Sequence, residues 1–371
     1  MQAAAQTPPA PRAATSAYFV NPAVDFALAG GLSIIVFLLV VVFRRPQRTD
    51  AIILAAAQLS WVVNWPHFSA TNFRLYRSWE NIRQYPLTAL FIPWVILAVV
   101  AAALWSPQVL APYFIKLFLI WSPYHFCAQT IGVTLIYLRR SGVQVRPWER
   151  RVLVSMVYST LFTLLVRSEV KPETLEYYGI HYMSFGLPAW FLPVAGVLTV
   201  ATSAGLVACF VLWCRRAGRL LPVVLLVPAA AQYLWFAGGW LWPSFIEFVP
   251  FFHSLQYLLI AWSLQLKEQR DRHDITPSRR FVLVESTRWY VLNIAGGALL
   301  FFFLPQWLSK GMRLPLPFTT GVFIAGVQIH HFFVDGVIWK LKRTTVSSPL
   351  MGNLHELLHP PAAPAPARGS S

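Results

Sequence analysis

The sequence predicts an all-α integral membrane protein, a polytopic bundle of about ten transmembrane helices. Hydrophobic residues make up 57% of the 371 residues and charged residues only 12%, which is about half the charged share of a soluble domain. Apolar runs near 20 residues, the length that crosses the hydrocarbon core of a bilayer, recur along most of the chain. We therefore expect one transmembrane helical domain.

The apolar runs define ten candidate spans. In chain order they are 25–43, 51–69, 86–105, 111–138, 152–167, 188–214, 220–242, 245–266, 287–308 and 317–340. After the second span, Phe73, Tyr76, Trp79 and Ile82 recur at helical spacing, which suits a short helix lying in the membrane interface.

The residues outside the helical domain 25–343 fall into two terminal segments. Residues 1–24 lack the apolar core and cleavage site of a secretory signal, so the first span should be retained. Residues 344–371 form a Pro/Ala-rich tail that we expect to be flexible.

The basic residues predict the orientation. Lysine and arginine outnumber aspartate and glutamate by 30 to 14, and they concentrate in the segments 139–151, 215–219, 267–280 and 340–343, each following an even-numbered span. Basic loops face the cytoplasm, so we expect a cell inner membrane protein with both termini cytoplasmic. The excess then needs no nucleic-acid partner; the expected partners are membrane lipid and a lipophilic small molecule, in an unknown oligomeric state. Only the loop 44–50, with three arginines, disagrees.

Five of the nine histidines lie within candidate spans. They are His67, His125, His253, His330 and His331. They fall on the second, fourth, eighth and tenth spans, which run in one direction, and the residue counts place three of these helices' histidines roughly 13–21 Å deep at 1.5 Å per residue. Ionisable residues are costly in a bilayer and usually mark a functional site. We therefore expect imidazoles from separate helices to meet and bind a metal.

His67, His125, His253 and His331 each have a polar residue three or four positions away, on the same helical face, and His67 also has Thr71. These residues are Asn64, Gln129, Gln256, Tyr257 and Asp335. A metal-bound imidazole usually donates its other ring N–H to a polar group, so these side chains should orient the rings, with Asp335 the best candidate.

An almost all-nitrogen ligand set suits zinc, copper or iron. Histidines with one open coordination position would suit a non-haem iron that activates oxygen for a lipophilic substrate. The distribution of His67, His125, His253 and His330/His331 over several spans resembles the bacterial membrane carotenoid-cleaving oxygenases of the Brp/Blh family. The resemblance implies an iron bound by histidines of separate helices and cleavage of a carotenoid to retinal.

Other chemistries stay open. The same histidines and Asp335 could form a proton or ion pathway in a transporter or channel, two of them could bind a haem, and the adjacent pair suggests copper. Imidazoles that converge on one point favour a metal, whereas imidazoles strung along a path favour transport. The tail also contains HExxH at His355, Glu356 and His359, the spacing of a zinc protease, but two prolines follow it at once.

Overall fold

The computed structural model describes residues 17–43, 51, 54–55, 57–276, 278–340 and 350–351. The basic loop at 44–50 and the HExxH residues of the tail lie outside the described residues.

We number the main helices α1 to α11 in chain order. They are α1 Pro22–Val42, α2 Asn64–Tyr76, α3 Trp79–Gln84, α4 Leu87–Trp105, α5 Leu110–Arg140, α6 Pro147–Glu169, α7 Phe191–Ala217, α8 Val227–Phe236, α9 Val249–His273, α10 Arg279–Met312 and α11 Leu316–Ile338. Two short antiparallel strands, β1 Thr174–Tyr177 and β2 Ile180–Met183, form a hairpin between α6 and α7.

The all-α membrane fold is confirmed, but the count of ten spans is not. Among the described residues, seven helices are long and apolar enough to cross a bilayer: α1, α4, α6, α7, α9 with the turn before it, α10 and α11. They match seven of the ten candidate spans. The short interfacial helix is shorter than its apolar pattern suggested, because α2 continues through Tyr76 and only α3 follows it.

The other three candidate spans are not among these seven long apolar helices, each for its own physical reason. The second is interrupted by a turn at 60–63, and its helix resumes at Asn64. The fourth is α5, which has 31 residues but carries Ser122, His125 and Gln129 in its middle. The seventh contains only the ten residues of α8, flanked by 3-10 turns, one of them over the glycine pair at 238–239.

A kink in α1 brings this helix close to α8 and α9. Gly30 has a φ of 132° within a π-helical turn, a conformation that favours glycine. A Cβ there would lie 2.7 Å from Ala231 Cβ. The turn also exposes the carbonyl of Ala29, which accepts a 2.6 Å hydrogen bond from Gln256 Nε2.

A fully buried carboxylate anchors the segment before α1. Asp25 accepts hydrogen bonds from the backbone N–H groups of Phe19, Val20 and Asn21 at 2.6, 2.8 and 3.1 Å. It also accepts a 2.9 Å bond from the Tyr137 hydroxyl of α5. Because all four donors belong to the protein, the charge is paired without water.

The β hairpin is anchored to the bundle by a buried ion pair. Lys116 of α5 pairs with Glu169 at the end of α6, and both side chains are less than 10% exposed. The second carboxylate oxygen of Glu169 accepts a 2.7 Å hydrogen bond from the backbone N–H of Phe185, just after the hairpin.

The helices that carry the candidate histidines are neighbours. Helix α2 packs against α9, α10 and α11, and α5 packs against α9 and α11. This arrangement encloses a small volume between α2, α5, α9 and α11, and the side chains that point into it form the candidate site.

Candidate metal centre

Four imidazoles from four helices converge at the centre of the bundle. His67 of α2, His125 of α5, His253 of α9 and His331 of α11 each offer one ligand atom, and these atoms all lie within 4.8 Å of one another. Their exposed fractions are 0%, 7%, 2% and 0%. Four buried histidines in this arrangement could hold a metal ion.

The distances between the nitrogens fit a shared ion. His331 Nε2 lies 2.8 Å from His67 Nε2 and 3.2 Å from His125 Nε2. Two nitrogens bound at about 2.0–2.1 Å to one ion are about 3 Å apart at a right angle and about 3.4 Å apart at a tetrahedral angle. Opposite ligands are about 4.1 Å apart, so a pair at 4.8 Å would need to close by less than an ångström.

The hydrogen bonding of the rings also fits a bound cation. Neither ring nitrogen of His253 has a hydrogen-bond partner, and neither does Nδ1 of His67 or His331. A buried polar group without a partner costs about 1–3 kcal/mol. A metal ion would accept a lone pair from one nitrogen of His253 and from the Nε2 atoms of His67, His125 and His331, which contact one another. Because an imidazole binds one ion through one nitrogen, the Nδ1 atoms of His67 and His331 would stay unpaired.

A proline precedes three of the four rings by one to three residues. Pro66 stands directly before His67 in the first turn of α2, and Pro250 lies in the first turn of α9, three residues before His253. Pro123 lies inside α5, two residues before His125, where its missing N–H interrupts the helical hydrogen bonds. The sequence therefore contained a local signal for these three positions, since helix starts and breaks at membrane depth usually surround a site.

Asp335 lies on the ligand side of the rings. Its Oδ2 is 3.3 Å from His331 Nε2 and 3.7 Å from His125 Nε2. Its Oδ1 accepts hydrogen bonds from Thr71 Oγ1 and Trp339 Nε1, both at 3.2 Å. The sequence suggested that Asp335 would bond the far nitrogen of a ring, but the contact is with the converging nitrogens. A carboxylate in this position can offset the charge of a cation held by the imidazoles.

Tyr257 contacts a ring face and not a ring nitrogen. Its ring centroid lies 4.2 Å from that of His67. Its hydroxyl is 2.5 Å from Thr71 Oγ1 and accepts a 3.3 Å bond from Trp339 Nε1. Tyr257 therefore restricts the rotation of His67 by packing, and it supports the same threonine that bonds Asp335.

The three amide side chains that we expected to orient the rings, those of Asn64, Gln129 and Gln256, form hydrogen bonds between helices instead. Gln129 Nε2 donates to the backbone carbonyl of His253 at 2.9 Å and to Gln256 Oε1 at 3.2 Å, and Gln256 bonds α1 as described above. Asn64 Oδ1 accepts a 2.8 Å bond from Ser254 Oγ. None of these hydrogen bonds among the described residues reaches an imidazole nitrogen; they hold the backbone of α9 in place.

The structure distinguishes between the adjacent histidines of α11. His331 belongs to the converging group and His330 does not, because neighbouring residues of a helix point about 100° apart. His330 Nε2 is buried without a partner on another face of α11.

A cavity of about 350 Å³ adjoins His125, one of the four converging rings. It lies between α5, α9 and α11 and is bordered by His125 and Asp335. Aromatic side chains form much of its wall, namely Trp121, Tyr124, Tyr257, Phe332 and Trp339. Sequence reasoning did not find this wall, although Trp121, Tyr124, Phe332 and Trp339 each lie within one turn of His125, His331 or Asp335.

Comparison of the chain with protein-family models, with curated proteins and with solved structures finds no match. The assignment of a function therefore depends on the geometry of the site.

Proposed function

We propose that the protein is an integral membrane oxidoreductase whose His67, His125, His253 and His331 bind one iron ion and which acts on a lipophilic substrate. The observation that carries the proposal is the convergence of four buried ligand atoms within 4.8 Å. An all-imidazole set suits iron, copper and zinc. A substrate cavity beside the rings favours iron or copper over zinc, because zinc has no redox chemistry with oxygen. Histidines from separate helices are also what the resemblance to the Brp/Blh oxygenases implies.

The alternative functions would require different arrangements of the four imidazole rings. A proton or ion pathway needs imidazoles spaced along a route across the bilayer, whereas these four gather around one point. A haem bound by two of them would need a flat space between the rings, but in four of the six ring pairs the centroids are only 4.5–5.1 Å apart, which leaves little room for a macrocycle. Copper is compatible with the same ligands, and metal analysis distinguishes it from iron.

Iron bound in such a site would supply redox chemistry with molecular oxygen. The protein's own contribution is to fix four imidazoles on four packed helices, so that little reorganisation is needed on binding. The Asp335 carboxylate would offset the charge of a bound cation, with one oxygen held by Thr71 and Trp339. The cavity beside His125 would position a lipophilic substrate next to the rings.

Whole-protein metal analysis tests the proposal. Protein purified without chelators should contain about one iron per chain, and the His331→Leu variant should lose it while His330→Leu keeps it. Stoichiometric copper or zinc in place of iron would overturn the metal assignment, and absence of all three would overturn the site.

We also propose that the chain crosses a cell inner membrane ten times with both termini in the cytoplasm. The seven apolar helices would be joined by α5, by the interrupted helix that ends in α2, and by α8 with its flanking turns. The basic segments after the even-numbered spans support this orientation. Reporter fusions after Ser141 and Gly218 should read as cytoplasmic, and a periplasmic reading at either position would refute the topology.

A further inference from the structure

The cavity beside the metal site is long and narrow. Its lining follows one face of α5 from Trp121 to Ile136, a distance of about 22 Å at 1.5 Å per residue. Its volume of about 350 Å³ is near the lower end for small-molecule sites. A cavity of this length and volume suits a single extended chain better than a compact or fused-ring molecule.

One side of the cavity is open. A Cβ at Gly132 of α5 or at Gly336 of α11 would meet nothing within 4 Å. Ala128 and Gly336 are exposed, and Tyr124 is 49% exposed, although all three line the cavity. These residues lie along membrane helices, so the opening between α5 and α11 faces the lipid, and a membrane-dissolved chain can enter sideways.

The two ends of the cavity differ in chemistry. One end meets His125 and Asp335, beside the converging imidazoles. The other end meets Lys340, which follows α11 and is exposed. Arg139, also exposed, lies one turn beyond Ile136 on α5. A long apolar cavity with cationic side chains at its mouth is complementary to an anionic headgroup on a hydrocarbon chain.

We propose that this cavity binds a single-chain anionic amphiphile. The chain lies between α5 and α11 with a carbon near its far end next to His125, and Lys340 binds a carboxylate or phosphate headgroup. The inference names the substrate class of the site and rests on the proposed function for the reaction at that carbon, but the binding site itself needs only the cavity and its charged mouth.

The test is competition binding with three probes that share one chain: oleate, oleyl phosphate and the uncharged oleyl alcohol. Displacement of radiolabelled oleate from the purified full-length protein is measured by scintillation proximity. We expect both anions to bind about tenfold more tightly than the alcohol, and the tighter anion identifies the headgroup. Equal binding of the alcohol would overturn the proposal.

Three variants locate the binding. Lys340→Gln should weaken the binding of the two anions about tenfold and leave the binding of the alcohol unchanged. Gly132→Leu should weaken the binding of all three probes at least tenfold, since a Cβ there meets nothing within 4 Å and the longer side chain would occupy the cavity. Gly196→Leu on α7 is the matched control, because its Cβ also meets nothing within 4 Å, and it should bind normally. Unchanged binding in Gly132→Leu, or an unchanged preference in Lys340→Gln, would overturn the assignment.

Metal analysis and probe binding, both measured on the wild-type protein, separate the two proposals. If the wild-type protein contains no iron but binds the anions, the proposed function fails and the amphiphile site stands. If the wild-type protein contains iron but shows no preference for the anions, only the amphiphile site fails.

Discussion

Replacing His253 with leucine should remove most of the metal-dependent stabilisation without destabilising the metal-free protein. His253 is buried, and neither of its ring nitrogens has a hydrogen-bond partner. Leucine has a similar volume and no polar atoms, so it removes a ligand and also removes two unpaired polar groups. Most substitutions of a buried residue destabilise a protein, which makes the expected outcome specific to a metal ligand.

The expected shifts in melting temperature follow from the thermodynamic linkage between metal binding and unfolding. At an ion concentration 1,000 times the dissociation constant, binding stabilises the wild-type protein by about 4 kcal/mol. With about 2.1 cal/mol/K of unfolding entropy per residue over 371 residues, this is a rise in melting temperature of about 5 °C. Loss of a ligand should weaken binding at least 100-fold, which leaves about 1.4 kcal/mol, or about 2 °C. Each unpaired nitrogen costs about 1–3 kcal/mol, so the metal-free variant should melt no lower than the metal-free wild type.

Thermal unfolding in detergent measures both the iron-dependent rise in melting temperature and the melting temperature of the metal-free protein. Unfolding is followed by tryptophan fluorescence under anaerobic conditions, with and without ferrous iron. His330→Leu is the matched control, because it removes a histidine with a buried unpaired nitrogen outside the converging group, and it should keep the full shift. A full iron-dependent shift in His253→Leu would refute the reasoning. So would a metal-free melting temperature several degrees below that of the wild type, because it would mean that hydrogen bonds hold the ring.

Four further substitutions test the carboxylate beside the rings and two buried polar anchors of the fold. Asp335→Asn keeps the side-chain shape and removes the charge, so iron affinity in an anaerobic titration should fall about 10–100-fold; unchanged affinity would show that the carboxylate does not act on the ion. Lys116→Met leaves Glu169 buried without its partner and should lower the free energy of unfolding by about 3–5 kcal/mol, whereas a fully stable variant would contradict the buried ion pair. Asp25→Asn should lose about two of the four hydrogen bonds to the carboxylate, which should lower the free energy of unfolding by about 3–5 kcal/mol. Tyr137→Phe removes one donor and should lower the free energy of unfolding by about half as much.

The membrane class and the candidate histidines could be predicted because both depend on local properties. A run of about 20 apolar residues crosses a bilayer whatever lies elsewhere in the chain. His67, His125, His253 and His331 stood out because ionisable groups are rare at that depth. The lengths of individual helices were less predictable. The turn before Asn64 falls inside an apolar run whose composition suits a continuous span.

The directions in which the polar side chains point could not be predicted from the sequence. Asp335 and His331 share a helical face at a spacing of four residues, and that spacing is equally compatible with a contact at either ring nitrogen. The approach of α2 and α5 brings the converging nitrogens, and not the far nitrogen, next to the carboxylate. Likewise, Gln129 lies one turn from His125 but bonds α9, because a neighbouring helix offers it a backbone carbonyl.

By itself, the sequence determined that the chain is a bundle of membrane helices with histidines at similar depth, since apolar length, charge placement and helical period are properties of each segment alone. Only the tertiary structure decided that His331 and not His330 joins His67, His125 and His253, that Asp335 faces the converging nitrogens, and that an open cavity runs from them toward Lys340. The physical reason is that these features depend on how helices far apart in sequence rotate and pack against one another, and the pattern within a single helix does not contain that information.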